Sequence, residues 1–225
     1  MSTTAAKGAA YRTKICYFDS HSHGAGTELF IVEGDSAAGS LQNVRDDDTQ
    51  AVFSVQGKIP NALRTSPSKV AAHATCKALI DVLGPPPSSA APDAARFERV
   101  VLCTDGDADG MHIQALVTVL FHKLLNPWIE TGRLHTVRPP LFRVEADGHD
   151  ARYAYTPAQC ETLRERFIAG GYPNPTVTRF RGLAMLEPHE VREHCTNPTK
   201  RHLRPVTVES AEATIATMQR FLAPS

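Results

Sequence analysis

Val100-Val101-Leu102-Cys103-Thr104-Asp105-Gly106-Asp107-Ala108-Asp109-Gly110 is an apolar run that breaks off into three carboxylates at alternate positions. The unbroken apolar start reads as a buried strand, and the glycines permit the turn that follows. Carboxylates crowded in this way raise one another's pKa values unless a cation or a shared proton neutralises them. Short oxygen ligands on a glycine-permitted turn suit a hard divalent cation such as Mg2+. A second apolar run, Leu29-Phe30-Ile31-Val32, ends in Glu33 and continues as Gly34-Asp35-Ser36. If the two strands are parallel neighbours, Glu33, Asp105, Asp107 and Asp109 gather at one carboxyl edge of a sheet, where open α/β folds place their ligands.

Two plainer readings compete. D-x-D-x-D-G also opens a calcium-binding EF-hand loop, but that loop needs a bidentate Glu at its twelfth position, and here that position is Leu116. The segment before the loop is strand-like rather than helical, which disfavours the EF-hand further. A solvated turn whose acids only form the turn and cap a helix is the stronger competitor. The second acidic motif at a second strand end weighs against it.

Three blocks stand in order along the chain: Glu28-Leu29-Phe30-Ile31-Val32-Glu33-Gly34-Asp35-Ser36-Ala37-Ala38-Gly39-Ser40, then Gln56-Gly57-Lys58-Ile59-Pro60-Asn61, then Thr104 to Ile113. They resemble the Toprim domain of the type IIA topoisomerases, most closely the B subunit of DNA gyrase and its topoisomerase IV counterpart. Gly132-Arg133-Leu134-His135, Arg138-Pro139-Pro140-Leu141-Phe142-Arg143-Val144 and a tail around Arg179-Phe180-Arg181-Gly182-Leu183 extend the likeness. A lone D-x-D-x-D-G would be weak; the ordered blocks together are specific.

The resemblance implies an α/β fold, a Toprim (Rossmann-like) parallel sheet flanked by helices with a mixed α+β C-terminal tail. It implies DNA as substrate and Mg2+ as cofactor, with Mn2+ or Ca2+ as substitutes. It implies a partner too, a gyrase-type A subunit that carries the attacking tyrosine. By the same transfer Glu33 is general acid/base and metal ligand, Asp105 and Asp107 are the principal metal ligands, and Asp109 is a second-site or outer ligand. Glu33, Asp105 and Lys58 form the catalytic set. Lys58, Asn61, His112, Arg179 and Arg181 are the candidates for DNA contact, each against the plainer reading of a solvated or helix-start side chain.

The chain departs from the family where Lys-Gly-Leu-Gly-Glu-Met is usual and Arg181-Gly182-Leu183-Ala184-Met185-Leu186 stands instead, and where Gln114 replaces an arginine. These losses favour an alternative role as a non-catalytic regulator that binds DNA or the gyrase A subunit. The 225 residues leave no room for the ATPase and transducer domains that precede this region in the gyrase B subunit, and no Gly-rich ATP-lid pattern appears. The expectation is a stand-alone module with no ATP site of its own and no activity alone. A hydrolase reading, with Gly34-Asp35-Ser36 and Asp109-x-x-His112 as esterase blocks, leaves Asp105 and Asp107 without a role.

Composition sets bounds. Lys+Arg and Asp+Glu both number 24, so net charge argues neither for nor against nucleic acid. Residues 151–225 hold ten basic and seven acidic residues, against 14 and 17 in residues 1–150, a mild lean towards a phosphate-binding tail. The five cysteines are widely spaced without a CxxC pair, which reads as reduced thiols in a cytoplasmic protein. His21 and His23 read as part of a polar leader rather than a metal site. No apolar stretch approaches the roughly 20 residues of a membrane span, and the N-terminus lacks a signal peptide's apolar core. Oligomeric state is left open, a homo-oligomer included.

Along the chain the expected divisions are a flexible leader at 1–27 with one short strand at 15–18, a Toprim domain at 28–146, and a tail at 147–225 packed on or beside it. Strands are expected at 29–33, 51–55 and 99–104, a turn from Gly34 to Gly39 into a short helix, and helices at 69–83 and 112–125. Gly84 to Ala95 reads as a surface excursion. In the tail, helices are expected at 160–169 and 188–195, and a strand at 206–208. A last helix capped by Ser210 would carry Ile215, Met218 and Leu222 on one face.

Overall fold

Leu29 and Ile31 point to one side of their strand, and Phe30 and Val32 to the other. All four are almost completely buried, so both faces of the strand must be covered. The computed structural model, which describes residues 16–88 and 95–222, shows what covers them. The chain runs β1 (Tyr17–Phe18), β2 (Gly24–Glu33), α1 (Gly34–Gln42), β3 (Gln50–Val55), α2 (Pro67–Ala72), α3 (Ala74–Leu83), β4 (Phe97–Cys103), α4 (Ala108–Leu124), α5 (Pro127–Glu130) and β5 (Leu134–Val137). It continues through β6 (Phe142–Glu145), β7 (Arg152–Ala154), α6 (Pro157–Ala169), β8 (Thr176–Arg179), α7 (Pro188–Val191), β9 (Leu203–Pro205) and α8 (Val208–Leu222).

The main sheet has the order β1-β3-β2-β4-β5-β9, with β3, β2, β4 and β5 parallel and the two edge strands antiparallel. This is the expected α/β sheet. One face, with Leu29, Ile31, Val100 and Leu102, packs on α3, α4 and α5 and on Ala211 and Met218 of α8. The other, with Phe30, Val32, Val101 and Cys103, packs on α1 and on the tail through Phe180, Leu183, Leu186, Val191 and Cys195. A smaller sheet, β7-β6-β8, packs on α6.

Several expectations shift. Tyr17–Phe18 pairs with β3 and β2 already begins at Gly24, so the expected leader is part of the sheet from residue 17 onward; Ile15 and the rest of 1–15 lie outside the described residues. The division expected at residue 146 falls inside the small sheet, between β6 and β7. The helix expected at 69–83 is two helices, because His73 leaves helical geometry (φ −65°, ψ 131°) to end α2 and start α3. The tail strand is Leu203–Pro205 rather than 206–208, and Val208 opens α8. Ser210 does not cap that helix alone: its N–H donates to Thr207 Oγ1 (3.1 Å) while its hydroxyl accepts from Thr207 N–H (2.9 Å), so Thr207 is the cap. The helix at 188–195 is α7 followed by a wider turn over Arg192–Thr196. The Leu222 side chain and residues 89–94 of the surface excursion lie outside the described part.

At the amino ends of the strands the tail is fastened by buried charge. Glu28 of β2 accepts from Arg201, from Arg99 (2.7 Å) and from Gln50 Nε2 (3.0 Å), and Arg201 and Gln50 also donate to the Thr196 carbonyl (2.9 and 2.8 Å). The side chains of Arg201 and Glu28 are 1% and 6% exposed.

Candidate metal centre

Parallel pairing of β2 with β4, with Val32 opposite Cys103, brings Glu33 and the Asp105 loop out at the same carboxyl rim. Glu33 ends β2 and stands at the N-cap position of α1, half-buried, its side chain making no capping hydrogen bond. Its Oε2 is buried and has no hydrogen-bond partner. Burial, then the charges of Asp105, Asp107 and Asp109, push its carboxyl up, and Lys58 pulls it down. Asp105 is likewise pushed up by burial and by Asp107, against a hydrogen bond from the Leu183 amide. These are the signatures of an anionic group of side chains that a cation would neutralise.

The loop is built to place its acids. Asp107 caps α4, its Oδ1 accepting from Gly110 N–H (2.9 Å). Gly110 lies so close to the Asp105 backbone that a Cβ has no room there. Asp107 and Asp109 are exposed, and Lys58 Nζ stands 3.9 Å from Asp109 Oδ1. Asp35 in the first acidic block accepts from Gln56 Nε2 (2.6 Å) and Ser54 Oγ (3.1 Å), tying that block to the Lys58 loop.

The acids surround one edge without closing on a single point. Among the described residues, the one set of three potential ligands within 4.8 Å of one another is His21, Asp47 and Asp48, all exposed and at the opposite rim. His23, expected with His21 in the leader, instead contacts Asp19 (3.1 Å).

Of the other expected site residues, Arg181 is exposed and adjoins Gly182, which touches Asp105. Asn61 Oδ1 is engaged in its own turn, accepting from Leu63 N–H (2.9 Å). His112 is exposed on α4, and Arg179 ends β8 in the small sheet. Among the described residues no hydrogen bond or ion pair joins the side chains of Asn61, His112 or Arg179 to the four acids.

Sequence reading missed the contribution of the tail. Leu183 N–H donates to Asp105 Oδ1 (2.9 Å), and a Cβ on Gly182 would lie 2.5 Å from Asp105 Oδ2. The residues the chain keeps from the family's tail motif, Gly182 and Leu183, are those that touch Asp105; Ala184 and Met185, which it changes, are exposed. Because the obstructing atoms belong to a rotatable side chain, Gly182→Ala should displace Asp105 rather than unfold the protein. The expected result is an affinity for Mn2+ lower by about 10–100-fold in calorimetric titration, with a stability loss within about 1–3 kcal/mol. Unchanged Mn2+ affinity would refute this placement of Asp105.

With this geometry in view, a profile of the Toprim domain matches residues 28–139. The chain is 34% identical over 197 residues to the B subunit of DNA topoisomerase 4 from Pseudomonas aeruginosa, covering 87% of this chain and 31% of that protein. To the DNA gyrase B subunit of Thermotoga maritima it is 34% identical over 194 residues, 86% of this chain and 30% of that protein. The DNA gyrase B subunit of Haloferax volcanii is 38% identical over 194 residues, at 84% and 29%. Residues 28–139 are thus a Toprim domain. The chain is homologous to part of the B subunits of DNA gyrase and topoisomerase IV, and it spans about three tenths of the length of these relatives. No described helix is long and apolar enough to cross a membrane.

Proposed function

We propose that this chain is a Mg2+-dependent, DNA-binding Toprim module that supports strand cleavage and religation together with an A subunit bearing the attacking tyrosine. The observation that carries the reading is the buried, unpartnered Glu33 Oε2 at the sheet edge where the charges of Asp105, Asp107 and Asp109 act on its carboxyl. Glu33, Asp105 and Asp107 would hold the ion, with Asp109 outside them. Bound there, Mg2+ supplies neutralisation of charge developing on a phosphodiester. Glu33 can carry a proton on the carboxylate oxygen not given to the ion and pass it to the sugar oxygen that departs as the tyrosine oxygen bonds to phosphorus, the tyrosine's own proton passing to solvent. Religation reverses both transfers. Lys58, exposed beside Asp109, offers its ammonium to the phosphate. Arg181, Asn61, His112 and Arg179 extend the contact along DNA.

Reconstitution with a gyrase-type A subunit, supercoiled DNA and Mg2+ tests this. Metal-dependent covalent DNA–protein adducts are expected from the mixture and not from the chain alone. The exposed Ala184-Met185 in the tail motif favours one other reading, a regulator that occupies DNA or the A subunit. Binding of both without adducts would establish that role instead.

Metal binding has its own readout. Relief of repulsion among the four acids should make Mg2+ stabilising by about 2.7 kcal/mol at a hundredfold excess over its Kd, each kcal/mol moving the melting temperature by about 2–4 °C. The shift should largely vanish in Asp105→Asn/Asp107→Asn. Equal shifts in wild type and double variant would remove the acids as the binding site.

A further inference from the structure

Beside Asp105, on the side away from Glu33, a cavity of about 190 Å³ opens between the acid loop, α4 and the β5–β9 edge. Thr104, Gln114, Thr136, Arg138 and Arg204 line it together with Asp105. Antiparallel pairing sets Arg204 of β9 opposite Thr136 of β5, two residues before Arg138. Arg138 is followed by the buried Pro139 and Pro140, which stiffen the stem from which it projects. Both arginines are exposed, and among the described residues neither guanidinium makes an ion pair or a side-chain hydrogen bond. Gln114 Oε1 stands 3.3 Å from Thr104 Oγ1 and accepts from it, which leaves the Gln114 amide N–H groups to donate. Asp105 Oδ1 is already engaged by Leu183.

The free groups facing this space are therefore almost all donors, two of them cationic forks. Such a lining selects an acceptor-rich anion, and guanidinium pairs match phosphate oxygens. The volume falls below the roughly 300–1,000 Å³ of pockets for drug-sized ligands, so the occupant is one small group rather than a base or a nucleoside. We propose that Arg138, Arg204 and Gln114 form a phosphate subsite that seats a backbone phosphate of DNA next to the one at the metal acids. The inference rests on the metal reading above, because a bare Asp105 carboxylate would repel an anion placed beside it. It assigns DNA contact to β9 and to the end of β5, elements that sequence reading left without a role.

The test is duplex affinity by fluorescence anisotropy across a salt series, in Ca2+ and in chelator, for wild type, Arg204→Gln, Arg138→Gln and the double variant. Each lost phosphate contact should make the log–log salt slope shallower by about 1. The double variant, which gives up the one seated phosphate, should lose about one, while Arg204→Lys keeps the wild-type slope. The difference should be larger in Ca2+ than in chelator. Both side chains are exposed, so melting temperatures should match wild type. If wild type binds DNA and the double variant keeps its slope, this subsite is wrong and the metal reading stands. If wild type binds no duplex, both fail. Titration with inorganic phosphate decides the source: displacement of phosphate by duplex supports the proposal, whereas phosphate that binds undisturbed by DNA overturns it in favour of a free-phosphate site.

Discussion

Glu33→Gln should lower the yield of metal-dependent covalent adducts by about 10²–10⁴-fold, the range expected when a positioned proton-transfer group is removed. Asp105→Asn should fall at least as far, because Asp105 is the aspartate most deeply set in the rim and the one the tail holds in place. Asp109→Asn, at an exposed position beside Lys58, should cost much less. The measurement is adduct yield after reconstitution with the A subunit, with duplex affinity followed in parallel. Each substitution removes a negative charge, so affinity for DNA in chelator should hold or rise while cleavage collapses. That divergence separates a chemical role from a fold defect. Adduct yields within a few-fold of wild type for Glu33→Gln would end the case for Glu33 as a proton carrier.

Glu28→Gln should destabilise the protein by about 3–5 kcal/mol, since removing one partner of a buried pair leaves the other as an uncompensated charge. Against a total stability of about 5–15 kcal/mol, that is a large fraction. The orphan would be Arg201, whose side chain is 1% exposed. Replacing both partners, Glu28→Leu with Arg201→Met, should recover a good part of the loss, which urea unfolding of the single and double variants would show. A loss below about 1 kcal/mol for Glu28→Gln would contradict the pairing.

The same pair fixes an acid limb. Burial pushes the Glu28 carboxyl up, but hydrogen bonds and charge from Arg201, with help from Arg99 and Gln50, outweigh it and hold the group below its ordinary value. Glu190 is held low in the same sense, by the Glu187 amide, Tyr153 and Arg143 against burial. For a depressed carboxyl the unfolded chain binds more protons, so stability rises with pH across that window. The contribution is complete above the unfolded value of about 4.3 and is lost as pH falls through the folded values. Melting curves should therefore drop steeply in acid for wild type and less steeply for Glu28→Gln.

Much of the fold was legible because its strands are short apolar runs whose alternate residues are all apolar. Leu29 to Val32 and Val100 to Cys103 announce strands covered on two faces, and the acids that follow announce the rim. That Glu33 and Asp105 share a rim depended on parallel pairing, which no local pattern encodes and which the structure supplies. The break at His73 was hidden, since Val70, Cys76, Leu79 and Leu83 keep helical spacing across it and are all buried. The amide of Leu183 was hidden for another reason. It donates as backbone, so no side chain advertises it, and its acceptor is 78 residues away. Arg201 reads locally as one more surface arginine; only Glu28, 173 residues earlier, explains its burial.

The tail meets the sheet at both ends of the strands, at Asp105 through Leu183 and at Glu28 through Arg201. The two stretches are consequently one heritable unit. A chimera that took residues 28–146 from one relative and the remainder from another would have to match a carboxylate to an amide at one rim and an acid to an arginine at the other. Recombination inside this chain should therefore survive mainly where both seams are exchanged together.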